Sequence, residues 1–183
     1  MRAYIRFGRF PQCESDREPI RWLILNQMND KMLLMSEKCL AVETYHFKPC
    51  RIAWQNSNLR AWLHEIFLNR AFRESEAHRI IHSEPSPAGK HCTDDCIFLL
   101  SCEEVLRYLP EQDERIALAS PAADKILRMR GYRHDDMTCS WWLRHDRVSD
   151  SIRQDVINRN GLLGRHRCDD LGTLVRPALW LRT

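Results

Sequence analysis

WWLR at residues 141–144 and VRPALWL at residues 175–181 decide how this chain is read. Cys139 to Leu143 and Leu179 to Leu181 are short apolar runs of the kind that form buried strands. Between them lies a long polar stretch in which Gly161, Gly164 and Gly172 mark expected turns. If Ile152 to Asn158 is a strand, alternation puts Arg153, Asp155 and Ile157 on one face. Apolar ends around a polar middle describe a buried frame that displays a solvent-facing segment.

Toward the N-terminus the texture becomes helical. Ser120 followed by Pro121 predicts a helix start, with Ala123, Ile126 and Leu127 as its inner face. Ser101 and Glu104 have capping-box spacing ahead of a helix through Tyr108, and Ile97 to Leu100 reads as a short buried strand. Ser83 to Asp95 (SEPSPAGKHCTDD) is a loop by its Pro, Gly and small polar residues. A short helix is expected over Glu74 to Ile81. Leu59, Trp62, Leu63, Ile66 and Phe67 make one apolar helical stripe, with Asn56 or Ser57 as the N-cap. Ile20 to Leu25 and Met32 to Met35 flank a turn at Asn29-Asp30 and predict a hairpin; Tyr4 to Phe7 adds a strand. The reading is one α+β domain over residues 1–183, since that length supports one real core and is short for two.

Several stretches together carry a resemblance. FGRFPQ (Phe7 to Gln12) with EPIRWLIL (Glu18 to Leu25), WQNSNLRAWLHEIFLNRAF (Trp54 to Phe72), IFLLSCEEV (Ile97 to Val105) and the two Trp-rich motifs follow one order. It is the order of a bacterial domain family of unknown function, which the chain resembles over nearly its whole length. The ending looks like the closing hairpin of C-type-lectin-like folds. Similar endings occur in the variable proteins of diversity-generating retroelements and in formylglycine-generating enzymes. The resemblance implies a C-type-lectin-like fold of short antiparallel strands and packed helices. It also implies that Trp141, Trp142, Arg176 and Trp180 are scaffold and that the segment between the motifs carries a ligand-binding surface. After WWLR the family usually continues Ser-Pro-Gly, whereas this chain has His145, Asp146 and Arg147. No pocket is carried over at that point.

The same segment shifts in composition. No Lys follows Lys125 and no Glu follows Glu114. Five Lys and 12 Glu precede Arg144, so simple proportion predicts about five of the two in residues 144–183. Codons ending in a pyrimidine cannot encode Lys, Glu, Gln, Trp or Met, so a tract diversified by randomising such codons would look like this. Gln154 would then be a fixed position.

Charge and cysteine usage exclude some classes. The net charge is only +3, and basic residues are interleaved with acidic ones, which argues against a nucleic-acid groove. No apolar run is long enough to span a bilayer. The N-terminal MRAYIRFGRF has no apolar core of a secretory signal, so the eight Cys read as mostly reduced, buried thiols of a cytoplasmic protein. His91, Cys92, Cys96 and Cys102 are the one zinc constellation to weigh, because Cys-x3-Cys in a loop can contribute to a tetrahedral site. Ordinary loop and core thiols explain them more simply, and no cofactor is otherwise expected. Asp135-Asp136 and Asp169-Asp170 could offer oxygens to calcium but fit turns better. Cys139 and Cys168 are the pair an oxidase-like relative of formylglycine-generating enzymes would use for copper, though neither aligns with that motif. His145-Asp146 with Ser149 and Ser151 does not make a hydrolase, since adjacency in sequence is not a triad.

The remaining candidate is a recognition surface made by His145, Asp146, Arg147, Asp150, Arg153, Asp155, Asn158, Arg159, Arg165 and His166. Arg outnumbers Lys 23 to five, and Arg is the cation suited to interfaces. The expected function is therefore a non-enzymatic binding module whose partner is a protein. The alternatives are the oxidase-like enzyme and a zinc-stabilised structural protein.

Overall fold

The computed structural model describes residues 2–13, 17–82, 93–132, 136–145 and 151–183. In chain order its strands are β1 (Tyr4–Pro11), β2 (Arg17–Gln27), β3 (Lys31–Ser36), β4 (Ile80–Ile81), β5 (Ile97–Phe98), β6 (Ala117–Leu118), β7 (Thr138–Cys139), β8 (Trp141–Trp142), β9 (Arg153–Ile157), β10 (Leu163–Arg167) and β11 (Ala178–Arg182). The helices are α1 (Asn58–Trp62), which runs through a π-helical turn at Leu63–Phe67 into α2 (Leu68–Ala71), then α3 (Glu74–Ala77), α4 (Cys102–Tyr108), α5 (Gln112–Arg115) and α6 (Pro121–Met129).

The main sheet is antiparallel, in the order β1-β2-β3-β11-β4, with β5 also on β11. The predicted β2–β3 hairpin forms, because two apolar runs separated by a short polar turn can pair at once. β3 is buried on both faces from Leu33 to Ser36, which explains its continuous rather than alternating apolar run. β11 lies inside the sheet, with Ala178 opposite Met35 and Arg182 opposite Lys31. β8, β9 and β10 form a separate antiparallel sheet, and β6 pairs β7. The architecture is mixed α+β.

The expected closing hairpin is not there. WWLR supplies β8 in the small sheet and VRPALWL supplies β11 in the main one. Their link is a parallel bridge between Trp141 and Leu174. Trp142 N donates to Leu174 O at 3.0 Å, while Val175 N donates to Ala41 O at 2.9 Å. The chain thus exchanges one sheet for the other between Leu174 and Ala178.

Three serines cap as expected. Ser57, Ser101 and Ser120 accept from the backbone N–H of Arg60, Glu104 and Ala123. The helical stripe is altered, however. Leu59, Leu63 and Phe67 are buried but Ile66 is exposed, because the wide turn at Leu63–Phe67 rotates the positions within it. Ile126 is exposed as well, leaving Ala123 and Leu127 as the inner face of α6. The helix expected through Ile81 stops at Ala77, and Ile80–Ile81 dock on β11 instead. Ladder bonds and a half-buried edge suit a β-branched pair better than a helix end does. β4 and β5 occupy successive places along one edge of β11, Ile81 facing Trp180 and Ile97 facing Leu179. Gly161 turns the chain with φ +81°, but Gly164 lies within β10, where a Cβ would meet the Asn158 side chain.

The buried tryptophans have their polar edges satisfied. Trp22, Trp54, Trp141 and Trp142 are essentially inaccessible. Each indole N–H has an acceptor: Phe7 O at 2.7 Å, Asp95 Oδ2 at 2.7 Å, Arg115 O at 3.0 Å and Glu43 O at 2.9 Å. Arg176 is buried beneath this layer, with Nε on Ser36 O, Nη2 on Glu37 O and its guanidinium 5.0 Å from the Trp141 ring. Burial pulls its pKa down. Trp141, Trp142 and Arg176 are thus buried frame, whereas Trp180 is only half-buried, with Lys31 over its ring.

Gly8 marks a bulge between β1 and β2, where the register shifts between Arg6 and Arg9. Its φ is +65°, and an added Cβ would lie 2.5 Å from the Phe72 ring and 2.8 Å from Ala71 O. Gly8→Ala should destabilise by about 2–4 kcal/mol, from left-handed strain and overpacking together. Chemical denaturation checks this, and a loss under 1 kcal/mol (on the order of ordinary surface changes) would show that the bulge relaxes.

Candidate functional site

The small sheet sorts the C-terminal polar residues onto two faces. Arg153 stands opposite Arg167, Asp155 opposite Arg165, and Ile157 opposite Leu163. Residues directly opposite share a face, so Arg153, Asp155, Arg165 and Arg167 line one side. The other side carries Gln154, Val156, His166 and Trp142, and is the one turned inward: Gln154, Val156 and Trp142 are buried. The expected alternation of Arg153 and Asp155 is present, but Ile157 is buried because the far end of the face is covered. There α5 approaches, with Gln112 donating to Asn160 O and Arg115 to Gly161 O.

Asp155 organises the outer face. Its Oδ2 lies 2.8 Å from His145 Nδ1 and its Oδ1 lies 3.3 Å from Arg165 Nε. Arg165 and Arg153 also reach each other's carbonyl oxygens, at 3.3 and 3.4 Å. Cys102, at the start of α4, places its thiol 3.6 Å from Asp155 Oδ2. Burial and then the Asp155 carboxylate push that thiol up to about 12. The carboxylate stands between thiol and imidazole, and because a carboxylate is a far weaker base than a thiolate, the proton stays on the sulfur. The backbone around His145 is fixed by Tyr45, whose hydroxyl accepts from its N–H, and by Trp54, whose N–H donates to its carbonyl. Arg144 fastens the start of the segment, donating to Leu99 O at 2.7 Å and to the capping-box Glu104 at 3.0 Å.

His145, Arg153, Asp155 and Arg165 are therefore together, as the sequence reading grouped them. His166 is not with them. It faces inward, 2.6 Å from Thr173 Oγ1 and edge-on to the Trp142 ring. Asn158 and Arg159 stand at the hairpin turn, where Asn158 N donates to Leu162 O and Arg159 pairs with Asp136 at 3.6 Å. Asp146, Arg147 and Asp150 lie outside the described residues, as do Asp135, Ser149, His91 and Cys92. Arg167 was missed by sequence reading, although its period-two spacing from Arg165 was a usable signal.

The other chemistry-bearing residues fall apart in space. Cys96 lies against His82, and Cys102 against Asp155, so the two described thiols of the zinc set have different partners. Among the described residues no group of three or more His, Cys, Asp or Glu is arranged to hold a metal ion. Cys139 packs against Cys39 and bonds Ala117 O, whereas Cys168 bonds Lys48 O and Cys50 O. The seven described cysteines are all free thiols. Asp169 is bridged by Arg167 through both oxygens, and Asp170 accepts from Thr173 Oγ1 and Gly172 N, so both close a turn. No helix among the described residues is long and apolar enough to cross a membrane.

The pattern of the domain of unknown function DUF6273 matches residues 29–183, from the β2–β3 turn to the C-terminus. The chain belongs to the DUF6273 family. The DUF6273 region includes β3, every helix, the small sheet and β11, so the candidate face and the frame beneath it both lie within it. Neither the curated proteins nor the solved structures hold a match to this DUF6273 chain.

Proposed function

We propose that this chain is a binding module whose outer β9–β10 face meets a protein partner in the cytoplasm. One observation carries the reading: Arg153, Asp155, Arg165 and Arg167 form a charged face with His145, directly backed by a rigid Trp142 layer. Arginine on a rigid support is a good interface anchor, and the central Asp155 gives the face a fixed pattern of sign. Leu162 and Leu163 add exposed apolar surface at the hairpin end. The Lys- and Glu-free tract fits a segment open to diversification, as in a retroelement variable protein. Gln154, the residue that would have to stay fixed, is buried and donates to Ile52 O at 3.2 Å.

The test is capture of partners from source-cell lysate on the immobilised chain, beside an Arg153→Glu/Arg165→Glu variant that melts normally. A protein held by wild type should bind the variant about thirtyfold more weakly, matching an anchor of about 2 kcal/mol. Equal capture by both chains, or no captured protein, would reject this face as the binding site.

A further inference from the structure

The interrupted edge of the main sheet brings a second constellation together. The chain leaves β11 after Ile81, opposite Trp180, and rejoins it at Ile97, opposite Leu179. Residues 82 and 96 are thus two sides of a neck, fixed by backbone pairing next to each. Across it His82 Nε2 lies 3.1 Å from Cys96 Sγ, and His82 Nδ1 lies 2.8 Å from Asp94 Oδ1. The neighbouring Asp95 is held by Trp54 and Arg60, which fixes the backbone leading into Cys96.

The order of these groups decides what they can do. The imidazole stands in the middle and turns one nitrogen to each partner, so the three side chains do not converge on a metal position. Sulfur, then base, then orienting carboxylate is the geometry that takes a proton from a nucleophile. It is the reverse of the Asp155 cluster, where the carboxylate itself abuts the thiol. Burial, then the Asp94 and Asp95 carboxylates, push the Cys96 thiol up, so the sulfur rests protonated and must lose its proton during attack. His82 is largely exposed whereas Cys96 is buried, so an acyl donor reaches the sulfur only from the side of the imidazole.

We propose that Cys96, His82 and Asp94 form a thiol–imidazole–carboxylate relay that accepts acyl groups from uncharged activated esters or thioesters. This site is separate from the β9–β10 face. Cys96 Sγ bonds to the acyl carbon as its S–H bond breaks. His82 Nε2 takes that proton and passes it to the departing oxygen or sulfur as the C–O or C–S bond breaks. The products are a Cys96 thioester and an alcohol or thiol, with no change of oxidation state. Asp94 holds the tautomer with hydrogen on Nδ1, and the paired carboxylates at 94 and 95 disfavour anionic donors.

The experiment treats the full chain with p-nitrophenyl acetate and maps acetylated cysteines by peptide mass spectrometry. Cys96 should be acetylated at least tenfold faster than the half-buried thiols Cys13 and Cys50. His82→Ala and His82→Gln should each slow Cys96 about a hundredfold, the low end of general-base catalysis. Asp94→Asn should slow it less, about tenfold. Circular dichroism should be unchanged in all three, since both positions are exposed. Cys96 reacting no faster than Cys13 and Cys50, or at a rate indifferent to His82, would overturn the proposal.

Discussion

Asp95→Ala should cost about 3–5 kcal/mol of folding stability, the scale of breaking a buried ion pair. The carboxylate is 2% exposed and ties its own strand of chain, through Thr93, to Trp54, Arg60 and His64 around the first helix. Oδ2 accepts from Trp54 Nε1 at 2.7 Å and from Thr93 Oγ1; Oδ1 accepts from Arg60 Nε at 2.6 Å and lies 3.0 Å from His64 Nε2. Removing it would leave a buried indole N–H and a guanidinium without their acceptor. Burial alone would raise its pKa, but the nearby His64 ring and the bonds from Thr93, Trp54 and Arg60 outweigh burial and hold it at about 2. Its folded pKa is thus below the unfolded value of about 3.9. The stability it gives, on the order of 2 kcal/mol from that shift, is present above pH ~4 and lost as pH falls through about 2. Asp95→Asn isolates the charge. The stability gap between wild type and Asp95→Asn, measured by denaturant melts, should be widest at neutral pH and shrink from pH ~4 toward pH ~2. A gap constant across that window would mean that shape, not charge, sets the effect.

The second large effect is expected at Trp142. Trp142→Ala should cost about 3–5 kcal/mol, the range for emptying a buried aromatic site. The ring is fully buried, stands 5.6 Å from Tyr45 in an edge-on contact and meets His166 from the other side. Trp142→Phe should retain most of the packing but lose the N–H bond to Glu43 O, for about 1–2 kcal/mol. The ring also backs the β9–β10 sheet. The phenylalanine variant should therefore fold and keep its outer face, whereas the alanine variant should expose the sheet to proteolysis. Limited digestion of both separates the two outcomes; equal resistance would show that the frame does not depend on this ring.

Much of the fold could be read where local chemistry decides it. The three serine caps and the β2–β3 turn are written in adjacent residues. The elements that escaped reading depend on distant partners. Ile80–Ile81 follow a helical stretch and become a strand only because β11 offers an edge, and β11 comes from the last residues of the chain. Ile66 fits a regular helical stripe and is turned out by a π turn that periodicity does not announce. At the candidate site, alternation along β9 grouped Arg153 with Asp155, yet nothing local places Arg165 opposite Asp155 or His166 on the inner side. Those positions follow from the hairpin register, which the turn around Gly161 sets. The Asp95 network was invisible for the same reason, as its members are spread from residue 54 to residue 95.

The split edge strand also bears on how this chain can change length. β11 is met by Ile81 and then by Ile97 as though they were consecutive, so the sheet does not register how many residues separate them. Sequence can be gained or lost between His82 and Thr93 without displacing a ladder bond, altering the parity of either strand or touching the Asp95 network. An insertion of one residue inside β9 would instead turn inward-facing side chains to water. The stretch between His82 and Thr93 is therefore where relatives of this chain should differ most in length, and where a tag or a second domain could be spliced in with the frame left intact.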